Sequence, residues 1–141
     1  MIRQAVPQDL PAVLALLAEA KLPTDGVADH FHSFFVVDDG RRIVASAGLE
    51  LRGDAALLRS LAVAADARGA GLGAAVLRRA LLAAGDRKDG VYALTTTAEA
   101  YLSRFGFEPV LRTSLPPQLF ESSELQDACP ASAAVMKKVR P

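Results

Sequence analysis

Residues 57–73 constrain this chain more than any other stretch: Leu-Leu-Arg-Ser-Leu-Ala-Val-Ala-Ala-Asp-Ala-Arg-Gly-Ala-Gly-Leu-Gly. The run from Leu57 to Val63 reads as a strand, and a short polar turn leads into Arg68-Gly-Ala-Gly-Leu-Gly73. A helical pattern begins at once. Backbone N–H groups at a helix N-terminus lack partners within the helix, and the partial positive charge there favours an anion. Glycines remove Cβ atoms, so a phosphate can approach the main chain closely. The stretch suits a pyrophosphate.

Other glycine loops fit less well. A dinucleotide fingerprint needs G-x-G-x-x-G tight against the strand end. Gly69 and Gly71 supply the first two glycines, but Ala74 holds the third position and the strand ends too early, at Val63. A Walker A loop needs Gly-Lys-Ser/Thr, which is absent. On these residues alone, a turn that merely caps a helix stays open.

The 141 residues suggest one domain over 1–141 with a real core. Hydrophobic content of 51% and charged content of 23% mark a globular chain rather than a disordered one. Sixteen basic and sixteen acidic residues cancel, so no electrostatic footprint for nucleic acid is expected. One cysteine, Cys129, excludes an internal disulfide framework and a multi-cysteine zinc site. A reducing cytoplasm fits best. Arg3, Gln4, Gln8 and Asp9 leave no secretory apolar region at the start, and no run is long enough to span a bilayer.

Ile2–Ala5 reads as a short strand. Pro7 and Asp9 suit a helix start, and Leu10, Val13, Leu14 and Leu17 follow at helical spacing. A weaker helical stretch covers Val27–His32. Phe34–Val37 and Arg42–Leu51 read as strands joined by Asp39-Gly40, a hairpin signal. Arg52-Gly53-Asp54 turns into strand Ala55–Val63. The next helix places Leu72, Val76, Leu77, Ala80 and Leu81 on one face and ends at Gly85. Strand Val91–Thr95, helix Ala98–Phe105, strand Phe107–Leu111, a helical segment Gln118–Ala128 and strand Ser132–Val139 complete the chain. The helix between Val63 and Val91 implies one parallel crossover in an otherwise antiparallel sheet.

The loop resembles the coenzyme A signature of the GNAT N-acetyltransferases, Gln/Arg-x-x-Gly-x-Gly/Ala, with Arg68, Gly71 and Gly73 filling it. The element order resembles the same family along nearly the whole chain. A second family pattern is Asn-x-x-Ala-x-x-x-Tyr-x-x-x-Gly-Phe. Ala98 and Gly106-Phe107 fit it; Thr95 replaces the Asn and Leu102 the Tyr. The resemblance implies an α/β (α+β) fold: a mixed, mostly antiparallel sheet splayed between strands four and five, with helices on both faces. Leu-Arg-Ser-Leu-Ala-Val, Thr95–Glu99 and Cys129–Ala133 look like the GNAT proteins of bacterial arsenic-resistance operons. The wider group includes enzymes acetylating the amino-acid antibiotics arsinothricin and phosphinothricin.

The implied reaction moves an acetyl group from acetyl-CoA, the cosubstrate, to the primary amine of a small molecule, with no metal. By the resemblance, Leu61, Ala62 and Val63 lay main-chain bonds along the pantetheine. Arg68, Gly69, Ala70, Gly71, Leu72, Gly73 and Ala74 hold the pyrophosphate. A backbone N–H near Leu61, freed by the splay, serves as oxyanion donor. An ammonium must lose a proton before it attacks. Leu57 stands where a family carboxylate is expected, so Glu50 on the preceding strand is the nearest acidic alternative, or an exposed strand carboxylate. Leu102 cannot protonate a thiolate; Tyr101 is rotated from it by about 100° on a helix and serves either as acid or as packing. Catalysis is expected mainly from positioning and main-chain polarisation.

Strand alternation puts Leu57, Arg59 and Leu61 on one face, and Arg59 there suits a carboxylate or phosphinate. Phe31, between His30 and His32, is placed on the acceptor wall by the resemblance; two histidines at i and i+2 do not make a metal pair. Cys129 reads as a half-buried thiol, with a weaker reading near the acceptor pocket. The missing Tyr and carboxylate also admit a coenzyme-binding sensor without catalysis, and an open groove would admit a protein or peptide amine. A homodimer is compatible with the apolar content.

Overall fold

A computed structural model of the chain describes residues 1–128 and 132–139, so Cys129 lies outside the described residues. The apolar runs form strands β1 (Ile2–Gln4), β2 (Phe34–Asp38), β3 (Ile43–Arg52), β4 (Ala55–Val63), β5 (Gly90–Thr95), β6 (Phe107–Val110) and β7 (Ala134–Lys138). Helices α1 (Leu10–Glu19), α2 (Leu72–Ala84) and α3 (Glu99–Ser103) lie between them. The sheet runs β1-β2-β3-β4-β5-β7-β6. Among the described residues only the β4–β5 pair is parallel, as a strand–helix–strand crossover requires.

Helix α2 buries Val76, Leu77, Ala80 and Ala84 and packs on β2, β3 and β4, while α1 buries Val13, Leu16 and Leu17 against β3 and β4. Fully burying such a side chain contributes about 1.5–3 kcal/mol. Gly85 ends α2 at φ +62, with its N–H donating to Leu81 O at 3.1 Å. A smaller apolar cluster joins Ala55, Leu57 and Tyr92 to Leu115, Leu119 and Val135 beyond the sheet.

Two features of the sheet position the site. β4 pairs with β3 along its whole length, but with β5 only from Ala55 to Leu58. Beyond Leu58 and Ala93 the strands part: β5 continues against β7 at Leu94 and Thr95, and Arg59–Val63 have no β5 partner. The second feature is a bulge in β4. Ser46 pairs with Ala62 and Gly48 with Arg59, so Ser60 and Leu61 together face the single residue Ala47. Ser60 takes φ +59, and Ser46 Oγ fastens the bulge by donating to Ser60 O at 2.8 Å.

The bulge corrects the alternation expected from the sequence. Leu57 lies in the smaller cluster, whereas Leu61 packs against the main core. The extra residue breaks the period of two. Two helical expectations also change. Residues Ala28–Ser33 form 3₁₀ turns rather than an α-helix; the Phe31 ring packs on Phe34, with centroids 5.4 Å apart. Residues Gln118–Ala128 break into a 3₁₀ segment, Pro117–Glu121, and a π turn, Glu124–Ala128. Ser122 interrupts them with extended backbone (φ −64°, ψ 137°), which lets its hydroxyl enter a buried cluster.

Candidate active site

The parting of β4 and β5 opens onto two cavities, of about 520 and 600 Å³. They share Leu22, Leu61 and Thr97, so they meet beside the bulge.

The larger cavity is bordered by the glycine loop. Leu61, Ala62, Val63, Arg68, Gly69, Gly71, Leu72, Gly73 and Ala74 all line it; Ala70 is exposed and does not. Gly71 is the N-cap of α2 at φ +77 and brings no capping side chain, which leaves the first amides of the helix for an outside acceptor. An L-residue at Gly71 would be strained. At Gly73, an added Cβ would sit 3.2 Å from Val63 Cγ2 and 3.3 Å from Tyr101 Oη. The backbone, strand and tyrosine therefore crowd together at the helix start. Arg68 Nε donates to Val63 O at 3.3 Å, so that side chain folds back over the loop. Arg104 adds a second guanidinium to the lining. Uncapped amides with two cations form a chemically suitable cradle for a diphosphate.

Tyr101 borders this cavity, with its ring 5.1 Å from that of Phe105. Leu102, at the position of the family Tyr, is buried and lines the smaller cavity instead. Thr95 takes over a structural duty: its Oγ1 accepts from the N–H groups of Ala98 at 2.8 Å and Thr97 at 3.2 Å, shaping the entry to α3.

The smaller cavity is walled by β4 at Leu58–Leu61, by β5 and its continuation at Ala93–Ala98, by the loop after α1, and by Glu124. Lys21 lines it from that loop, where Lys21 N donates to Ala18 O at 3.1 Å and Leu22 N to Leu17 O at 2.9 Å. This is a helix-ending turn whose φ +58 position is normally given to glycine.

A buried ionic cluster lies against this wall. Glu50 is fully buried; Arg59 Nη1 donates to its Oε2 at 2.7 Å. Arg52 Nε and Nη2 donate to Glu50 Oε1 at 3.0 and 2.8 Å, and Ser122 Oγ donates to Oε2 at 3.0 Å. Burial works to raise the Glu50 carboxyl, but the Arg59 and Arg52 guanidiniums outweigh it and hold it below the ordinary carboxylate range. His30 Nε2 lies 3.5 Å from Glu50; burial pushes the imidazole below its ordinary value. Arg59 is closed from solvent, its Nε donating to Ser60 Oγ at 3.0 Å and its Nη2 to Pro23 O at 3.4 Å.

Of the residues singled out in the sequence, the fold brings the loop residues other than Ala70, together with Leu61–Val63 and Tyr101, to one cavity and Arg59 to the other. Glu50 and Phe31 line neither: Glu50 is tied inside the ionic cluster, and Phe31 is packed in the main core. Glu124, Ser122 and Lys21 had no sequence signal of their own. A usable hint existed for Glu50 and Arg59, opposite charges in two largely apolar strands one tight turn apart.

The sequence profile of the acetyltransferase (GNAT) domain matches residues 30–109. No curated protein sequence matches the chain. Among solved structures, the protein Rv2747 of Mycobacterium tuberculosis, in complex with CoA and a second ligand, superposes with a TM-score of 0.81 at 22% identity, covering 100% of this chain and 99% of that one. N-acetylglutamate synthase of Neisseria gonorrhoeae, complexed with coenzyme A and N-acetyl-glutamate, gives 0.80 at 20% identity over 99% of this chain, which spans only 35% of that protein. An acetyltransferase of the GNAT family from Staphylococcus aureus Mu50 gives 0.76 at 16% identity over 98% and 97%. These identities speak for the fold. With the profile covering more than half of the residues, the chain belongs to the GNAT acetyltransferase family.

Proposed function

We propose that this chain is an acetyl-CoA-dependent N-acetyltransferase acting on the primary amine of a small molecule. The observation that carries the reading is the meeting of two cavities at Leu22, Leu61 and Thr97, one with an uncapped helix N-terminus and the other with a buried ionic wall. In this reading the amides of Gly69–Ala74, aided by Arg68, hold the diphosphate, and Leu61–Val63 lie along the pantetheine. The bound cosubstrate supplies an acetyl thioester. The chain's own parts orient the amine across the gap between β4 and β5 and polarise the carbonyl through main-chain donors near Leu61.

The acceptor class we favour is an acidic amino acid. Lys21 lines the acceptor cavity, the buried Arg59 guanidinium adds positive charge within its wall, and the gonococcal synthase was crystallised with N-acetyl-glutamate. Arsinothricin and phosphinothricin, the substrates suggested by the likeness to arsenic-resistance proteins, carry the same pairing of amine and acid. The remaining parts of the reading are one domain over 1–141, a cytoplasmic setting and a homodimer.

Two measurements test the reading. Calorimetry should detect acetyl-CoA binding, weakened about tenfold or more in Gly71→Val, whose left-handed backbone a branched residue strains by about 1–2 kcal/mol. A free-thiol assay should show acetyl transfer to phosphinothricin or glutamate in preference to spermidine or a peptide N-terminus. Binding without turnover of any amine would favour a coenzyme sensor, a reading that Leu102 in the acceptor wall also motivates.

A further inference from the structure

We propose that Glu124, rather than Glu50, takes the proton from the acceptor ammonium. The inference rests on the N-acetyltransferase reading. Glu124 is the carboxylate that lines the acceptor cavity while lying nine-tenths or more buried, whereas Glu50 is enclosed behind it. Glu124 Oε2 is 3.5 Å from Arg59 Nε, but the single hydrogen of that nitrogen already goes to Ser60 Oγ. Arg59 Nη1 and both donors of Arg52 serve Glu50. Among the described residues, Glu124 thus has a cation nearby without the short contacts that lock Glu50.

The backbone around Glu124 is well held. Its N–H donates to Ser122 Oγ at 3.2 Å, and that hydroxyl donates to Glu50. Ser123 Oγ donates to Asp25 O at 3.0 Å, tying this segment to the loop that carries Lys21. Close packing enforces the tie: a Cβ on Gly26 would come within 2.9 Å of Ser123 Oγ. Such fixing is what a proton acceptor needs to stay within reach of a bound amine.

The electrostatic surroundings suit the same role. Burial pushes Glu124 up to about 7, with Arg59 opposing and Glu50 adding to the rise. The other charged groups lining the cavity are Lys21 and Asp25; Arg52 and His30 lie behind Glu50. A carboxylate with its pKa near neutrality takes a proton far better than one held strongly acidic.

The ammonium gives one proton to the Glu124 carboxylate. The freed nitrogen lone pair bonds to the thioester carbonyl carbon, and the C–S bond breaks with its electron pair on sulfur. The second nitrogen proton neutralises that sulfur, giving the amide and the thiol. Glu124 returns its proton to water.

The test uses the full chain with acetyl-CoA and a panel of phosphinothricin, glutamate, glutamine and spermidine. For whichever amine turns over, wild-type kcat should rise with pH along a limb near 7. Glu124→Gln should lose about a hundredfold or more in kcat and lose that limb, with KM for acetyl-CoA unchanged. Glu124→Asp should keep the limb with reduced kcat. If Glu124→Gln keeps both rate and limb, Glu124 is not the base while the acetyltransferase reading stands. If no amine is acetylated by wild type, both fall. A further measurement does not need the variant to fold: carbon-13 NMR of glutamate-labelled wild type should show one side-chain carboxyl titrating near pH 7. Titration of every glutamate below about pH 5.5 would overturn the assignment.

Discussion

At the scale of single residues, the cluster around Arg59 divides two carboxylates by what they can reach. Glu50 receives hydrogen bonds from two arginines and Ser122, so its charge belongs to the folded state at neutral pH. Removing the buried Arg59 leaves Glu50 with the Arg52 guanidinium and takes away the cation beside Glu124, so Arg59→Ala should cost about 3 kcal/mol, read as a lowered chemical-denaturation midpoint. A loss of amine affinity in that variant would reflect a disturbed wall as well as a lost contact. Glu124 behaves oppositely. At pH 8, Glu124→Gln should be more stable than wild type by up to about 3 kcal/mol, the cost of keeping a carboxylate ionised there when its pKa is raised from 4.5 to about 7. The gain should vanish near pH 4.5. Tyr101→Phe should change the chemical step less than a hundredfold, because Tyr101 Oη crowds the start of α2 and the ring borders only the coenzyme-side cavity.

At the scale of elements, the bulge in β4 is the feature from which the site geometry follows. Ser60 holds a left-handed backbone because Ser46 Oγ grips its carbonyl from the next strand. Ser46→Ala should therefore cost about 1 kcal/mol or more in stability, and slow acetyl transfer by loosening the wall at Leu61. Gly48 is equally specific: a Cβ there would drive into the Phe34 ring, so Gly48→Ala should destabilise by about 1–3 kcal/mol on thermal melting. These details mark the limit of what the sequence discloses. The glycine loop, the Asp39-Gly40 hairpin and the run of strands were legible because turn chemistry and apolar periodicity are local. Ser60 was not, because nothing distinguishes a left-handed serine from its neighbours. Glu124 was not, because residues 118–128 have helical composition and the partners that break the helix, Glu50 and Arg59, are distant in the chain. The pairing of Glu50 with Arg59 was half visible. The tight turn sets Glu50 opposite Leu57, which makes Arg59 a diagonal neighbour.

At the scale of the whole molecule, the buried groups set opposing pH dependences. Asp9, hydrogen-bonded by Arg3, and Glu50 both have depressed pKa values, so their stabilisation is present above the ordinary carboxylate range and is lost as pH falls below it through the depressed values. Glu124 has a raised value, so its contribution is complete below 4.5 and is lost as pH rises through about 7. The melting temperature of the wild-type chain should accordingly peak on the mildly acidic side, and Glu124→Gln should flatten the decline toward pH 8. Acetyl-CoA at a hundredfold over its Kd should add about 2.7 kcal/mol at any pH where it binds.

The placement of β7 has a consequence for synthesis. It lies between β5 and β6, hydrogen-bonded to both, although both precede it in the chain. While a ribosome has yet to release the residues beyond 133, each of those two strands presents a bare edge with unmet N–H and C=O groups. Such edges recruit other nascent chains. Premature termination just upstream of β7 should thus yield aggregates rather than a weakened monomer, a distinction that sedimentation of the truncated product would make directly.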